Sequence, residues 1–534
     1  MIISQVVKRA FFSRFGGKLR PLQEQAFALL ELERDGLVTA PTGMGKTEAV
    51  FVPVAQRLLL RPREQQNQLG ALIISPTRAL ATDLHKRMSP IFEQLGLRLD
   101  VATGDKNTQS KIRPSDALIR TPEGLDSTLV RRPSDLQNVQ DIIIDEIHTF
   151  LNNPRGTQLV GLLHRISMLN SQHRRLGISA TLPQPDIVTK TGLLRKNSVL
   201  VSIEEQSQIE FLTHHWAGEE IIGATGFLQF LKDTGIKKAL GFVLSRKRAE
   251  QVTLWLNQGH LRDCVFVHHG STSSTHRKQT EEHLRTRRIV LVVATKTLEV
   301  GIDIGDVDTC ILFDTPLDAS SLVQRAGRAG RRGGIRRVVL VSGLFDSISE
   351  FMPLLQQVKN KQIHTDYDPR PSLTGCLQQV ASYLMQISSS TKNGLLGFLM
   401  QAYQIPESAA EDVIRLALIS NFLLMNQFED FLPSPVTEKM FETRALHRTF
   451  AATSGTTVID ERTQQVIGWA DTRAGNTMLL AGKGREPVAW SNDQRKVFVK
   501  IVESGEAAFV KAGKSNFEFA TLANEILSQE CFQA

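Results

Sequence analysis

The residues from Ala40 to Thr47 read Ala-Pro-Thr-Gly-Met-Gly-Lys-Thr. Thr42, Gly43 and Gly45 make a loop whose backbone N–H groups can close around phosphates. Lys46 is placed for the β/γ-phosphates and the Thr47 hydroxyl for a Mg²⁺ ion. Much further on, Asp145-Glu146-Ile147-His148 closes the apolar run Ile142-Ile143-Ile144. An acid at a strand end suits Asp145 to hold the metal, and Glu146 beside it to orient and deprotonate an attacking water. Together the two segments describe a site that hydrolyses ATP. The full phosphate-loop pattern asks for Gly at both ends of its spacer, and Ala40 stands at the first. Taken alone, the stretch also reads as an ordinary turn. Its flanks decide otherwise: Gly36-Leu37-Val38-Thr39 reads as a buried strand, and Glu48-Ala49-Val50-Phe51 with Leu58-Leu59-Leu60 reads as the helix after the loop.

Those residues need a scaffold, and the chain spells one out. Leu72-Ile73-Ile74, Ala117-Leu118-Ile119, Ile142-Ile143-Ile144 and Leu176-Gly177-Ile178 alternate with amphipathic stretches at βα spacing. A second series runs through Ala239–Val243, Val265–Val267, Ile289–Val293, Cys310–Phe313 and Val338–Val341. The expected fold is therefore α/β, with two parallel-sheet domains in tandem over 1–205 and 206–345. Helical periodicity follows in Leu377, Val380, Leu384 and Ile387, then in Ile414, Leu416, Leu418 and Phe422, and suggests a winged-helix-like module over 346–450. Val458-Ile459, Val466–Trp469, Met478–Leu480 and Val497–Val499 read as a small antiparallel β module over 451–534, with a terminal helix from about Phe517.

At 534 residues the chain is too long for one core. No apolar run approaches the length that spans a bilayer, so no membrane partner is expected. The net charge, 63 − 55 = +8, favours polyanionic partners. Cys264, Cys310, Cys376 and Cys531 stand far apart without a CxxC pair, which fits neither a zinc site nor a disulfide framework and suits a reducing cytoplasm. Residues 1–20 carry Lys8, Arg9, Arg14, Lys18 and Arg20 without an acid. They run without a linker into Pro21-Leu22-Gln23 and read as part of the first domain rather than as a transit peptide.

Further segments fall in a specific order. Phe15-Gly16-Gly17 through Gln23, Ser75-Pro76-Thr77-Arg78-Ala79-Leu80, Thr103-Gly104-Asp105, Thr121-Pro122-Glu123-Gly124-Leu125 and Ser179-Ala180-Thr181 lie in the first domain. Phe242–Glu250, His268-His269-Gly270-Ser271, Ala294–Ile304 and Gln324–Arg332 lie in the second. The set resembles that of superfamily 2 helicases with two RecA-like motor domains. Within it, Arg155-Gly156-Thr157-Gln158-Leu159, Leu298–Gly305 and the run Gln324-Arg325-Ala326-Gly327-Arg328-Ala329-Gly330-Arg331 are similar to the Lhr-type (large helicase-related) DNA helicases. The resemblance implies that Gln23 reads adenine, that Ser179 and Thr181, with Gln324, couple hydrolysis to movement, and that travel along DNA is 3′→5′.

Beside the resemblance, the residues carry their own chemistry. Arg328 and Arg331 are three apart, share a helix face and suit a γ-phosphate, as arginine fingers do. Thr77, Arg78, Thr121 and Thr295 follow strands and offer donors to a phosphodiester track that Pro76 and Pro122 adjoin, although a lone Thr there is also a helix cap. Asp303 and Glu299 suit either ribose or the arginines, and His148 either relays hydrolysis or fills a polar junction. Trp469 and Trp490 suit core packing before base stacking. The expected activity is an ATP- and Mg²⁺-dependent helicase on single-stranded or 3′-tailed duplex DNA, in repair or antiviral defence. RNA or an RNA–DNA hybrid is the alternative strand, and an ATP-switched subunit of a CRISPR-type complex with a nuclease partner is the alternative role.

Overall fold

The computed structural model describes all residues except 1–3, 13–18, 30–33, 42, 63–64, 66–67, 104–105, 108–114, 181, 183, 204–208, 300–306, 331–334, 361–366, 448–455, 465, 471–477, 481–482, 491–495 and 502–534. Thr42, Thr181, Asp303, Arg331, the Gly16-Gly17 and Gly104-Asp105 pairs and the expected terminal helix lie outside the described residues. The chain divides into two compact units, residues 1–204 with 366–451 and 516–534, and residues 205–365 with 452–515.

The first unit is built on β1 (Gly36–Thr39), β2 (Ala71–Ile74), β3 (Leu99–Thr103), β4 (Lys106–Asn107), β5 (Ala117–Arg120), β6 (Asp141–Ile144), β7 (Arg174–Ser179) and β8 (Val199–Ser202). They lie in the order β4-β3-β5-β2-β6-β7-β1-β8, parallel throughout except for β4 against β3. Both faces are covered, which is why the central strands are continuous apolar runs. Side chains alternate between the faces. Leu72, Ile74, Ile142 and Ile144 enter one core, while Ala71, Ile73 and Ile143 enter the other. The second core is roofed by the helices Gln5–Phe12, Pro21–Leu29, Lys46–Leu59 and Arg78–Gln94.

The first core has a different roof. Helices Pro122–Arg131 and Pro154–Leu169 lie on the sheet, and helices Leu373–Ile387, Lys392–Tyr403 and Glu407–Ile419 pack over them with Leu377, Val380, Leu384, Leu395 and Leu399 fully or nearly fully buried. The winged-helix-like segment thus shares one core with the first motor sheet. It includes a two-stranded hairpin that helical periodicity does not show, β15 (Leu423–Met425) against β16 (Phe431–Pro433). The intervening strands of the chain form the second unit's sheet: β9 (Ile209–His215), β10 (Lys238–Phe242), β11 (Val265–His268), β12 (Val290–Ala294), β13 (Thr309–Leu312) and β14 (Arg336–Ser342). Their order is β11-β12-β10-β13-β14-β9, all parallel.

The terminal β module holds β17 (Thr456–Asp460), β18 (Val466–Ala470), β19 (Met478–Leu480), β20 (Lys483–Trp490) and β21 (Lys496–Ile501) in the order β18-β17-β21-β20-β19. It is a mixed sheet rather than an antiparallel one, because β17 pairs with β21 in parallel. Two strands adjacent in the sheet but not in sequence need not be joined by a hairpin. The module has its own small core of Val458, Ile467, Leu480, Val497 and Val499. It meets the second motor sheet's helices through a bond from Ser273 N–H to the Ile467 carbonyl, 2.7 Å. The side chains of Trp469 and Trp490 are not among those described.

Candidate nucleotide and nucleic-acid site

Parallel strands leave their loops at one edge, so sheet order decides which loops are neighbours. At the carboxyl edge of the first sheet the phosphate loop follows β1, Ser179 ends β7, Asp145 and Glu146 follow β6, Pro76 to Arg78 follow β2, and Thr121 follows β5. The nucleotide-handling residues therefore occupy β1, β7 and β6, and the strand-contacting candidates occupy β2 and β5. The sequence separates these groups widely; the crossover order sets them side by side.

In the loop, Gly43 and Gly45 have φ of 86° and 82°, in the left-handed region that glycine adopts without strain. Gly45 caps the helix Lys46–Leu59, whose N-terminal N–H groups face an incoming anion. A Cβ at Gly45 would meet Gln23 Nε2 at 2.4 Å, so only glycine lets the amide lie against the loop. Gln23 is buried, accepts from Arg20 N–H at 3.0 Å and reaches the Gly45 carbonyl with Nε2 at 3.4 Å, while Arg20 donates to the Gly43 carbonyl. Lys46 is buried and its ammonium donates to the Ala40 and Pro41 carbonyls at 2.5 and 2.9 Å, folded back along the loop it serves. Thr47 follows it, half-buried at the helix start.

Asp145 N–H bonds the Ile74 carbonyl at 2.9 Å, which fixes the carboxyl at the strand end. Burial first, and then the Glu146 carboxylate beside it, push the Asp145 carboxyl up to about 7, against the pull of Arg87 and Lys46. Glu146 adopts φ 46°, unusual for a non-glycine residue, and is buried. Its Oε2 has no hydrogen-bond partner among the described residues and lies 3.5 Å from His148 Nδ1. That nitrogen is also 3.0 Å from Ser179 Oγ, and the Ser179 carbonyl accepts from Ala40 N–H at 3.3 Å. His148 is thus a junction joining the acid, the β7 end and the first residue of the phosphate loop.

A half-buried acid disfavoured by its neighbour, and a second with an unsatisfied oxygen, fit a nearby cation. Among the described residues no cluster of three or more His, Cys, Asp or Glu could hold a metal alone.

Thr77 and Thr121 both cap helices, accepting from Leu80 N–H at 3.2 Å and Gly124 N–H at 3.4 Å. The capping reading and the track reading are compatible, because a hydroxyl that accepts from its own helix keeps a proton to donate outward. Thr77 and Arg78 are exposed, whereas Thr121, Pro76 and Pro122 are buried. In the second unit, Thr295 follows β12, and its N–H bonds the His268 carbonyl at 3.3 Å, placing it beside the His268-His269 loop.

Glu299 holds the arginine motif. Its carboxylate pairs with buried Arg325 at 3.2 Å, and its carbonyl accepts from Arg328 Nη2 at 2.8 Å. Arg325 also lies 5.1 Å from the Phe242 ring centre. Between the two roles open to Glu299 in sequence, the structure selects the arginines. Gln324 and Arg325 lie on the helix Ala319–Ala326, which ends before Arg328, so the helix face expected for Arg328 from its spacing is not formed: Arg328 sits in the turn after the helix. Sequence reasoning quoted Arg155 within a motif and gave it no role; the structure sets its guanidinium on Glu123 at 2.6 Å and on the Pro76 carbonyl at 2.6 Å, between two track loops.

Comparison with known proteins agrees with this layout. The family pattern described as DEAD/DEAH box helicase matches residues 20–188, and the helicase conserved C-terminal domain matches 225–333. The ATP-dependent helicase Lhr-Core of Sulfolobus acidocaldarius is 32% identical over 401 residues, 68% of this chain and 45% of that protein. The Escherichia coli Lhr helicase/uracil glycosylase is 28% identical over 62% of this chain and 26% of its own length. The chain spans about half the length of the archaeal relative and about a quarter of the bacterial one. The structure of Mycobacterium smegmatis helicase Lhr bound to ssDNA and AMP-PNP superposes with a TM-score of 0.72 at 24% identity, over 85% of this chain and 63% of that one. The helicase MrfA bound to DNA and AMPPNP gives 0.73 at 19%, over 94% and 72%. At those identities the superpositions show the fold. The fold is two RecA-like domains with helical and small β additions.

Proposed function

We propose that this chain, a DEAD/DEAH-type helicase with Lhr homologues in archaea and bacteria, uses ATP hydrolysis to move along single-stranded or tailed duplex DNA and separate its strands. The observation that carries the reading is the shared edge of the first sheet, where phosphate loop, paired acids and capped strand loops are neighbours. In this reading Lys46 takes the β/γ-phosphates, Thr47 and Asp145 hold Mg²⁺, and Glu146 takes the proton of the attacking water. Gln23 reads the base. Bound Mg²⁺ supplies charge neutralisation at the phosphates. Arg328 and Arg331 answer the charge that develops on the transferred phosphate, with Asp303 at the ribose or steadying them. Ser179, Thr181, His148 and Gln324 carry the state of the nucleotide to the loops that hold the strand. Pro76, Thr77, Arg78, Thr121, Pro122 and Thr295 form that track.

The proposal takes 3′→5′ travel from the resemblance to Lhr-type helicases, places the activity in repair or antiviral defence, and takes a reducing cytoplasm from the widely spaced cysteines. No described helix is long and apolar enough to cross a membrane. A nuclease or defence-complex partner would join it in the second role. The test compares ATP turnover with no nucleic acid, with single-stranded DNA and with matched RNA, in wild type and Lys46→Ala. DNA stimulation that vanishes in the variant is the expected result. Stimulation by RNA alone would replace DNA as the substrate, and turnover retained by Lys46→Ala would remove the assigned loop.

A further inference from the structure

The helix Pro154–Leu169 begins immediately after the 3₁₀ turn Ile147–Phe150, which itself begins at Glu146. Several bonds pin its start to that turn. Thr149 Oγ1 donates to the Glu146 carbonyl at 2.7 Å, and Asn153 Nδ2 donates to the Thr149 and Leu151 carbonyls at 2.8 Å each. Asn153 Oδ1 in turn caps the helix, accepting from Gly156 N–H at 3.2 Å. A Cβ at Gly156 would sit 1.8 Å from the Phe150 carbonyl oxygen, so the first helical turn lies directly against the 3₁₀ turn.

From this anchored start Arg155 reaches outward to two other loops. Its Nε and Nη2 form a two-pronged pair with Glu123 Oε1 and Oε2 at 2.6 and 3.0 Å, and Nη1 donates to the Pro76 carbonyl at 2.6 Å. The guanidinium lies 5.8 Å from the Phe150 ring centre, and the side chain is 15% exposed. Pro76 follows β2 and Glu123 follows β5, neighbours in the sheet. One rigid fork therefore spans the Pro76 loop and the first turn of the helix Pro122–Arg131, and ties them to the turn that carries Glu146. A lysine has one nitrogen and cannot make the paired carboxylate contact and the carbonyl contact in the same planar geometry.

We propose that Arg155 is a positioning residue: it holds the Pro76 loop and the first turn of the helix Pro122–Arg131 at the spacing that a nucleic-acid backbone must match, and joins that spacing to the Glu146 turn. The inference rests on the helicase reading for what the loops hold, and on geometry alone for the fact that Arg155 holds them. The experiment uses the full chain with Arg155→Gln and Arg155→Lys. Before any nucleic acid is added, amide hydrogen exchange over 75–80 and 121–125 should quicken by about tenfold or more in Arg155→Gln, as expected when a half-buried charge-assisted clamp is lost. The concentration of single-stranded DNA giving half-maximal ATPase stimulation should rise roughly tenfold, while turnover at saturating DNA stays within about twofold and Arg155→Lys falls between. Unchanged exchange overturns the clamp. Faster exchange with an unchanged half-maximal DNA concentration overturns the positioning role. A parallel fall in thermal midpoint, unstimulated turnover and saturated turnover assigns Arg155 to general folding and overturns it also. If neither DNA nor RNA stimulates wild type, the helicase reading fails, and the exchange result still decides whether Arg155 holds the loops.

Discussion

Replacing Asp126 by Asn should loosen the first unit more than any change at its surface. The Asp126 carboxylate is fully buried between the first motor sheet's helices and the winged-helix-like segment. It accepts from Arg165 Nη1 at 2.8 Å, Ser382 Oγ at 2.6 Å and Gln378 Nε2 at 2.7 Å, and lies 2.9 Å from His447 Nδ1. Arg165 is equally buried and also bonds Gln379 at 3.2 Å and Gln386 at 2.8 Å. Asparagine keeps the size, but it removes the charge that compensates Arg165 and sets a donor against donors. Breaking a buried pair by removing one partner costs roughly 3–5 kcal/mol, a large part of the 5–15 kcal/mol that keeps a domain folded. With a urea slope of about 3 kcal/mol/M, the midpoint of this unit should fall by at least about 1 M.

The assay has to be local, because a chain of two units need not unfold in one step. All four tryptophans, at 216, 255, 469 and 490, fall in the second unit and report nothing about the first. Cys376 does report on it. The thiol is 2% exposed on the helix Leu373–Ile387, and burial pushes it up to about 12, so alkylation requires opening. Cys310, buried in β13, serves as the second unit's control. In a pulse-alkylation series across urea, read by mass spectrometry, Cys376 should become reactive at lower urea in Asp126→Asn and Cys310 should not. Burial pushes the Asp126 carboxyl up, but the bonds from His447, Arg165 and Ser382 outweigh it and hold it well below the usual carboxylate range. A carboxylate whose folded pKa is depressed contributes stability above its unfolded value and loses it as pH falls towards the folded one. The gap between wild type and variant should therefore be flat from about pH 5 to 8 and close below about pH 4. An unshifted Cys376 midpoint, or a gap that opens and closes near neutrality, would refute the network as described.

Glu146→Gln should bind ATP and stall, since it removes the base and keeps the size; rapid turnover in single-cycle measurements would sink that role. Asp145, raised to about 7 by burial and by Glu146, should bind Mg²⁺ in competition with a proton, so Mg²⁺ affinity should fall as pH drops below about 7. The same Glu146→Gln change should move that fall to lower pH, and an unmoved profile in a Mg²⁺ titration would remove the coupling. Because the folded pKa is the higher one, the nucleotide-free fold should lose stability as pH rises through about 4 to 7, checked by urea midpoints at fixed ionic strength. Arg78→Ala should lower the salt dependence of single-stranded DNA binding by about 0.7 log units per log unit of salt, one phosphate contact. An unchanged slope takes Arg78 off the track.

The nucleotide site was legible because its chemistry demands adjacent residues. A loop needs its glycines and lysine together, and two acids must share a strand end. The central strands were legible because burial on both faces leaves no polar position to confuse them. β3, β8 and β9 escaped for the opposite reason. β3 carries Asp100, and β8 and β9 are edge strands with exposed or half-exposed positions along them, which blurs both continuous and alternating patterns. β20 opens Lys-Gly-Arg-Glu-Pro and reads as a turn. The clamp at Arg155 and the network around Asp126 were not legible at all. A polar residue on a helix is read as facing water, and Arg165, Gln378, Gln379 and Ser382 face one another instead. Polar groups that satisfy each other across 200 residues or more leave no local signal, because each partner's reason for being polar lies on another helix.

That network also changes how the C-terminal third must be tested. On the domain bounds expected from sequence, a chain ending near Phe345 would keep both motor domains. The structure argues against that cut. It would strip Leu377, Val380, Leu384, Leu395 and Leu399 from the core that Leu72, Ile74, Ile142 and Ile144 share, and leave Asp126 and Arg165 without Gln378, Ser382 and His447. Exposed apolar faces on the helices that cover the sheet and an under-coordinated buried pair predict aggregation, not a working motor. A chain ending just after His447 is the better experiment. It keeps the network whole and removes residues 448–534, which hold the β module, whose small core is separate from that of the second motor sheet, and the segment after it. Such a chain should melt within a few degrees of the full one and retain DNA-stimulated ATPase. If the β module excludes the second strand, unwinding of a 3′-tailed duplex should fall at least about tenfold at unchanged turnover, a coupling loss of roughly 1.4 kcal/mol in the unwinding step. Unwinding at the full chain's rate would show that strand exclusion belongs to residues before 448, where the hairpin Leu423–Pro433 and the winged-helix-like segment travel with the sheet that holds the phosphate loop.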